Sequence, residues 1–115
     1  MIKRAKDLPF EVVAKRFGGK GEIAITRLLE TDQFQGKGRL FAHNKIKPNS
    51  SIGLHQHTGD FEVFYILKGE GIADDNGSKS PVKAGDVVLT GNGESHSLEN
   101  TGSADLEYIA LVLYV

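Results

Sequence analysis

Residues 55–69 read His-Gln-His-Thr-Gly-Asp-Phe-Glu-Val-Phe-Tyr-Ile-Leu-Lys-Gly. Side chains alternate along an extended strand, so His55 and His57 project from one face as close neighbours. Thr58-Gly59-Asp60 is a turn. Phe61–Lys68, built from β-branched and aromatic residues, is the next strand. Glu62, Phe64 and Ile66 share one side of it; Val63, Tyr65 and Leu67 share the other. An antiparallel return would bring the Glu62 carboxylate back beside the two imidazoles. A strand that is apolar on both faces needs a cover on each.

Outward from this stretch the chain reads as short strands between turns. Upstream, Glu22–Leu29, Arg39–Ile46 and Ile52–His57 are strands. Gln35–Gly38 and Lys47-Pro48-Asn49-Ser50-Ser51 are turns, the second because proline presets φ and asparagine tolerates left-handed geometry. Downstream, Ile72–Asp74 and Ser80–Lys83 flank Asn76-Gly77, a strong hairpin signal. Asp86–Thr90, Ser95–Glu99 and Leu106–Tyr114 follow. Eight or nine short strands at about ten-residue spacing predict an all-β barrel or sandwich. Residues 1–20 read as an arm: Lys6–Phe17 holds a short turn that Pro9 keeps from becoming a long helix, and Gly18-Gly19-Lys20-Gly21 is a flexible connection. No helix pattern follows those glycines, so they do not read as a phosphate cradle.

Composition narrows the function. The chain has 115 residues, which predicts one domain. With no cysteine there is no disulfide framework, thiolate metal site or cysteine nucleophile. Net charge is −1, but residues 1–20 carry six bases against two acids. That arm reads as a solvated basic segment lying on a slightly acidic body. No basic run is interleaved with aromatics and there is no tryptophan, so no nucleic-acid partner is expected. The longest apolar run, Tyr108–Val115, is too short for a membrane span or a signal segment, and a cytoplasmic protein is the expectation. Tyr108–Val115 and Phe61–Leu67 both present a second apolar face, covered either by the N-terminal segment or by a second subunit. A homodimer is the expectation.

Three of the four histidines bear on chemistry. His55, His57, Glu62 and His96 supply three imidazole nitrogens and one carboxylate, a donor set suited to a divalent first-row metal. In an octahedral shell, four protein ligands leave positions for water or substrate. Taken alone, the histidine pair also reads as an inert exposed pair, Glu62 as a surface acid and His96 as a turn cap. His43 reads as a passive strand histidine. Asp60 and Glu94 read first as solvated loop acids, with a supporting role behind the neighbouring ligands as the alternative.

The glycine framework decides between these readings, because it resembles the cupin superfamily. The first cupin motif is matched by Asn49 in place of its opening glycine, then His55-Gln56-His57, Glu62 and Gly69, over 49–69. The second is matched by Gly85, Gly91-Asn92-Gly93, His96 and Asn100, over 85–100, with Gly91 where the family has proline. The resemblance implies a double-stranded β-helix, or jelly-roll barrel, holding a divalent transition metal (iron, manganese, zinc, nickel or cobalt) on His55, His57, Glu62 and His96. It implies that Asn100 fixes a turn. By alternation from the ligands, Phe41, Phe64, Ile66 and Leu98 are the candidates to line the cavity. Cupins include dioxygenases, decarboxylases, sugar-phosphate isomerases and epimerases, and non-catalytic binding proteins. The short single-barrel type resembles mannose-6-phosphate isomerase-like cupins. The expected function is therefore a metal-dependent protein for a small polar metabolite such as a sugar, sugar phosphate or carboxylate. A metal-dependent sensor without turnover and an iron-dependent dioxygenase are the alternatives. No catalytic base is legible beyond the ligands.

Overall fold

The computed structural model describes residues 1–115. Ten strands run along the chain: β1 (Phe10–Ala14), β2 (Glu22–Arg27), β3 (Gly38–Ile46), β4 (Ser51–Gln56), β5 (Asp60–Lys68), β6 (Glu70–Asp75), β7 (Ser78–Lys83), β8 (Val87–Thr90), β9 (Ser95–Asn100) and β10 (Leu106–Tyr114). They form two sheets. One has six strands in the order β1-β2-β3-β10-β5-β8, the other four in the order β4-β9-β6-β7. Every pairing is antiparallel. From β3 to β6 and again from β7 to β10 the chain passes from one sheet to the other at each connection, which is the jelly-roll arrangement expected from the sequence.

Alternation fills the space between the sheets. Ile23 and Ile25 of β2, Ala42 and Ile46 of β3, Phe64 and Ile66 of β5, Leu98 of β9, and Leu106, Tyr108 and Ala110 of β10 are all buried in one core. Inward residues on a strand lie an even number of positions apart, so register and burial agree. The turns use the residues their geometry demands. Asn76 and Gly77 both take positive φ (51° and 95°), the signature of the two-residue hairpin between β6 and β7. Asn49 has φ 61°, the left-handed geometry its place in the motif requires. Asn100 ties the last corner. Its amide donates to Ile46 O (2.8 Å) and Ala104 O (2.9 Å), and its Oδ1 accepts from Gly102 N (2.9 Å).

The N-terminal segment differs from its expectation. Short turns do stand at its two ends, Ala5–Asp7 and Arg16–Gly18, but Phe10–Ala14 between them is a strand, β1, paired to β2 from Phe10 opposite Thr26 to Ala14 opposite Glu22. Its Val-Val pair favours extended geometry, and Pro9 stands just before the strand, where its missing N–H breaks no ladder. Gly18–Gly21 is not a loose connection either. A Cβ on Gly19 would lie 2.2 Å from Ser51 O, so this loop is pressed onto β4. It is also pinned there by Ser51 N to Lys20 O (2.9 Å) and Lys20 N to Ser51 Oγ (3.0 Å).

The outer face of the six-stranded sheet stays apolar. Tyr65, Leu67, Val87 and Leu89 are exposed, and the β5–β8 register sets Val63 opposite Leu89 and Tyr65 opposite Val87. The N-terminal strand does not cover them, because it joins the opposite edge of that sheet.

Asn100→Ala removes the three hydrogen bonds that tie the last corner. It should cost about 1–3 kcal/mol, read as a lower urea midpoint with an unchanged slope.

Candidate metal centre

The four predicted donors come together from both sheets. His55 lies on β4, His57 just beyond its end, His96 on β9 and Glu62 on β5. Strands β4 and β9 are paired, with His55 directly opposite His96, and the register slips between Ile52 and His55. That slip is a bulge at Gly53-Leu54, where one strand carries extra residues and the side chains beyond it are re-aimed. Leu54 turns outward and is exposed. Glu62 does not arrive by a hairpin return beside the pair, as the sequence suggested. It reaches across the barrel from the other sheet, because the chain crosses between layers at Thr58-Gly59.

The donor atoms converge closely. His57 Nε2 is 3.1 Å from His96 Nε2, which is 3.0 Å from His55 Nε2. Glu62 Oε1 is 3.0 Å from the Nε2 atoms of both His57 and His96. All four donors lie within 4.8 Å of one another. His57, Glu62 and His96 are buried, and His55 is half-buried.

The opposite ring nitrogens are held from behind. His55 Nδ1 donates to Gly53 O (2.8 Å), the carbonyl of the bulge. His57 Nδ1 donates to Asp60 Oδ1 (2.8 Å). His96 Nδ1 bonds Thr90 Oγ1 (2.6 Å), a hydroxyl able to take either role. A backbone carbonyl and a carboxylate only accept, so neutral His55 and His57 carry their protons on Nδ1 and turn lone pairs inward. Two lone pairs and a carboxylate oxygen then face the His96 nitrogen, and one N–H can serve only one of them. A cation at the centre satisfies all four. Neighbouring donors at 3.0–3.1 Å also match the edge of an octahedral shell with bonds of about 2.1 Å. The residues fit a divalent metal.

Asp60 is a correction to the sequence reading. It is buried, and besides His57 it binds Arg39 through Oδ2 (2.8 Å). The chain Arg39–Asp60–His57 orients one ligand through two hydrogen bonds. Glu94 keeps to the loop, accepting from Gly91 N (2.6 Å). His43 bonds Glu107 Oε1 (3.0 Å) on the outer side of the sheet, away from the centre.

Burial pushes the Glu62 carboxyl up, but hydrogen bonds from His57 and His96 outweigh it and hold the group below its ordinary value. Burial likewise raises Asp60, and the Arg39 and His57 bonds overcome it. The Glu62 hydrogen bond raises His57 against desolvation, whereas burial holds His55 down.

Beside the donors lies a cavity of about 40 Å³. His55 and Glu62 open onto it, with Phe64, Asn44 and Tyr108. Of the four lining candidates Phe64 alone reaches it, and its ring also stacks on His96 at 4.8 Å. Ile66 and Leu98 are wholly buried in the core behind it. Phe41 faces outward: it pairs with Leu111, out of phase with the inward Ala42 and Asn44. Sequence reasoning missed Arg16, Phe17 and Arg27, which close the cavity from the N-terminal side. Phe17 stacks on His55 at 4.0 Å with planes 16° apart. The basic arm is thus not merely a solvated segment, since its Arg16-Phe17-Gly18 turn sits on the mouth of the barrel.

The family model described as a cupin domain matches residues 42–113. This chain belongs to the cupin family. Cupins bind divalent metals, and the four converging donors of this cupin could hold one. Among its relatives is a protein from Thermotoga maritima named "oxalate-binding protein", 49% identical over 98% of this chain and 93% of that protein. A crystal structure from the same organism, described as a predicted oxalate decarboxylase, superposes with TM-score 0.95 at 48% identity over the full length of both chains. A polyketide cyclase from Streptomyces resistomycificus shares the fold alone, with TM-score 0.77 at 21% identity over 99% of this cupin and 80% of that chain.

His57→Ala should abolish stoichiometric metal, and Asp60→Ala should weaken metal binding about 10–100-fold, both read by competition with a chelator. Protons compete with metal for the same lone pairs. As pH falls, His57, with its raised pKa, takes a proton before His55, whose pKa is lowered. Metal content, measured by elemental analysis after gel filtration at stepped pH, should be full above neutrality and fall as pH drops through the imidazole range near 6.5. Full retention below about pH 5 would contradict imidazole ligation.

Proposed function

We propose that this cupin binds a small carboxylate of the oxalate class at a divalent metal held by His55, His57, Glu62 and His96, without turning it over. The observation that carries this reading is the cavity. Its volume of about 40 Å³ has room for about three or four waters at roughly 10–15 Å³ each. Its polar lining includes His55 and Glu62 together with Arg16 and Arg27. A compact dianion suits that space and charge better than a sugar phosphate does. The names given to the Thermotoga maritima relative and to the crystal structure from that organism, at 49% and 48% identity, support the same ligand class.

The metal, when bound, would act as a Lewis acid toward one carboxylate. The residues around it bind and orient rather than move protons. Decarboxylation needs a proton delivered to the carbon that loses carbon dioxide. Glu62 is the only carboxyl on the cavity, and it is held below its ordinary pKa by His57 and His96. Burial pushes the Tyr108 phenol up, so it keeps its proton. No lining residue is a poised acid, which favours binding over catalysis.

The homodimer belongs to the same reading. A second copy would cover Tyr65, Leu67, Val87 and Leu89, which the N-terminal segment leaves bare. Light scattering should give twice the chain mass, and Leu89→Glu should return the monomer mass.

Calorimetry on manganese-loaded protein should show saturable oxalate binding that vanishes when a chelator removes the metal. Incubation with oxalate should release no formate. Absence of oxalate binding by the loaded protein would overturn the ligand class, and formate release would replace binding with decarboxylation.

A further inference from the structure

The turn Arg16–Gly18 and the loop that continues it to Gly21 form a strap over the barrel mouth. The strap closes on itself through Lys15 N to Gly21 O (2.9 Å). It is seated with little clearance, because a Cβ on Gly53 would lie 2.0 Å from Phe17 O. Lys15 and Phe17, neither a glycine, hold left-handed φ values of 52° and 51°. Such geometry persists in non-glycine residues only where the surroundings impose it. Here it delivers two side chains to the cavity. The Phe17 ring lies flat on the ligand-facing imidazole of His55, and the Arg16 guanidinium carbon sits 4.7 Å over that ring.

Arg16 stands out from the other arginines near the site. Arg27 is paired with Glu11 at 2.9 Å and Arg39 with Asp60 at 2.8 Å. Arg16 lines the cavity and has no carboxylate partner and no side-chain hydrogen bond. A partly buried guanidinium without a counter-charge is a ready site for a planar carboxylate, which it can grip through two parallel hydrogen bonds.

A second observation comes from Asn44, which lines the same cavity. Asn44 Oδ1 is the one buried side-chain polar atom in the protein without a hydrogen-bond partner. Asn44 is 4% exposed, lines the same cavity and is tethered by its amide nitrogen to the Tyr108 hydroxyl (3.2 Å). A buried orphan amide in a cavity marks a place where a ligand completes the hydrogen bonding. Turned over, this amide accepts from Tyr108 and offers an N–H to the cavity, which suits an anion.

We propose that Arg16 is the specificity-determining residue of this cupin: it anchors the carboxylate remote from the metal, with Phe17 holding it in place and Asn44 supplying a further hydrogen bond. The proposal rests on the carboxylate-binding reading above and adds the reason for selectivity. With two positions open, the metal already favours a chelating oxalate over acetate. The fixed strap adds a contact that a short dicarboxylate at the metal can reach across a cavity of about 40 Å³ and that acetate does not.

The test is calorimetry of manganese-loaded wild type, Arg16→Ala, Arg16→Lys and Arg27→Ala with oxalate and with acetate, alongside manganese content per chain. Arg16→Ala should lose at least about tenfold in oxalate affinity, with acetate affinity and manganese content unchanged. Arg16→Lys should recover part of the loss, since a point charge replaces a two-pronged one. Arg27→Ala, already paired to Glu11, should lose less. Wild-type oxalate affinity in Arg16→Ala, or an equal or larger loss in Arg27→Ala, overturns the proposal while leaving the ligand class standing. A wild-type protein that takes up manganese but binds no oxalate overturns both.

Discussion

Three imidazole nitrogens and a carboxylate oxygen held about 3 Å apart are the constraint around which this protein is arranged. Such a set is unfavourable in a dry interior unless its lone pairs and charge are used. Each histidine is therefore backed by a partner that fixes its orientation: Gly53 O for His55, Asp60 for His57 and Thr90 for His96. Asp60 in turn takes Arg39 as counter-charge. The donors come from β4, β5 and β9, so the centre joins the two sheets at the same place where the core residues Phe64 and Leu98 do.

The space beside the centre is small because the N-terminal strap closes it. Arg16 and Phe17 stand on the same short turn, and Phe17 makes its ring contact with His55 itself. Metal site and strap are therefore in direct contact, and a ligand at the metal meets the strap. The polarity of the lining has the same origin: Arg16 comes from the strap and Arg27 from β2, beside Glu62 and His55.

Much of this was legible in the chain. The His-x-His pair, Glu62 and His96 at motif spacing marked the donor set, and alternation along β5 placed Glu62 and Phe64 on one face. Asn49, Asn76 and Asn100 announced turns whose geometry or hydrogen bonds are as expected. Alternation failed for Phe41 because a strand has two faces and periodicity alone does not say which is inward. It failed for Ile66 and Leu98 in another way: both point inward, but depth along the barrel decides between core and cavity. Asp60 read as a solvated loop acid because its partner Arg39 lies 21 positions away.

The sequence by itself determined the kind of protein and the identity of the donors, because strand alternation, turn chemistry and ligand spacing are local. The tertiary structure alone decided what surrounds the centre. It carried Glu62 across the barrel rather than back along a hairpin, buried Asp60 behind His57, and laid Arg16 and Phe17 over a site far along the chain, at His55. Those placements depend on contacts between distant segments, such as Gly53 against the strap, that no local pattern encodes. They also shape the cavity beside the four donors, so the donor cluster was readable from the chain whereas the size and polarity of the space beside it came only from the fold.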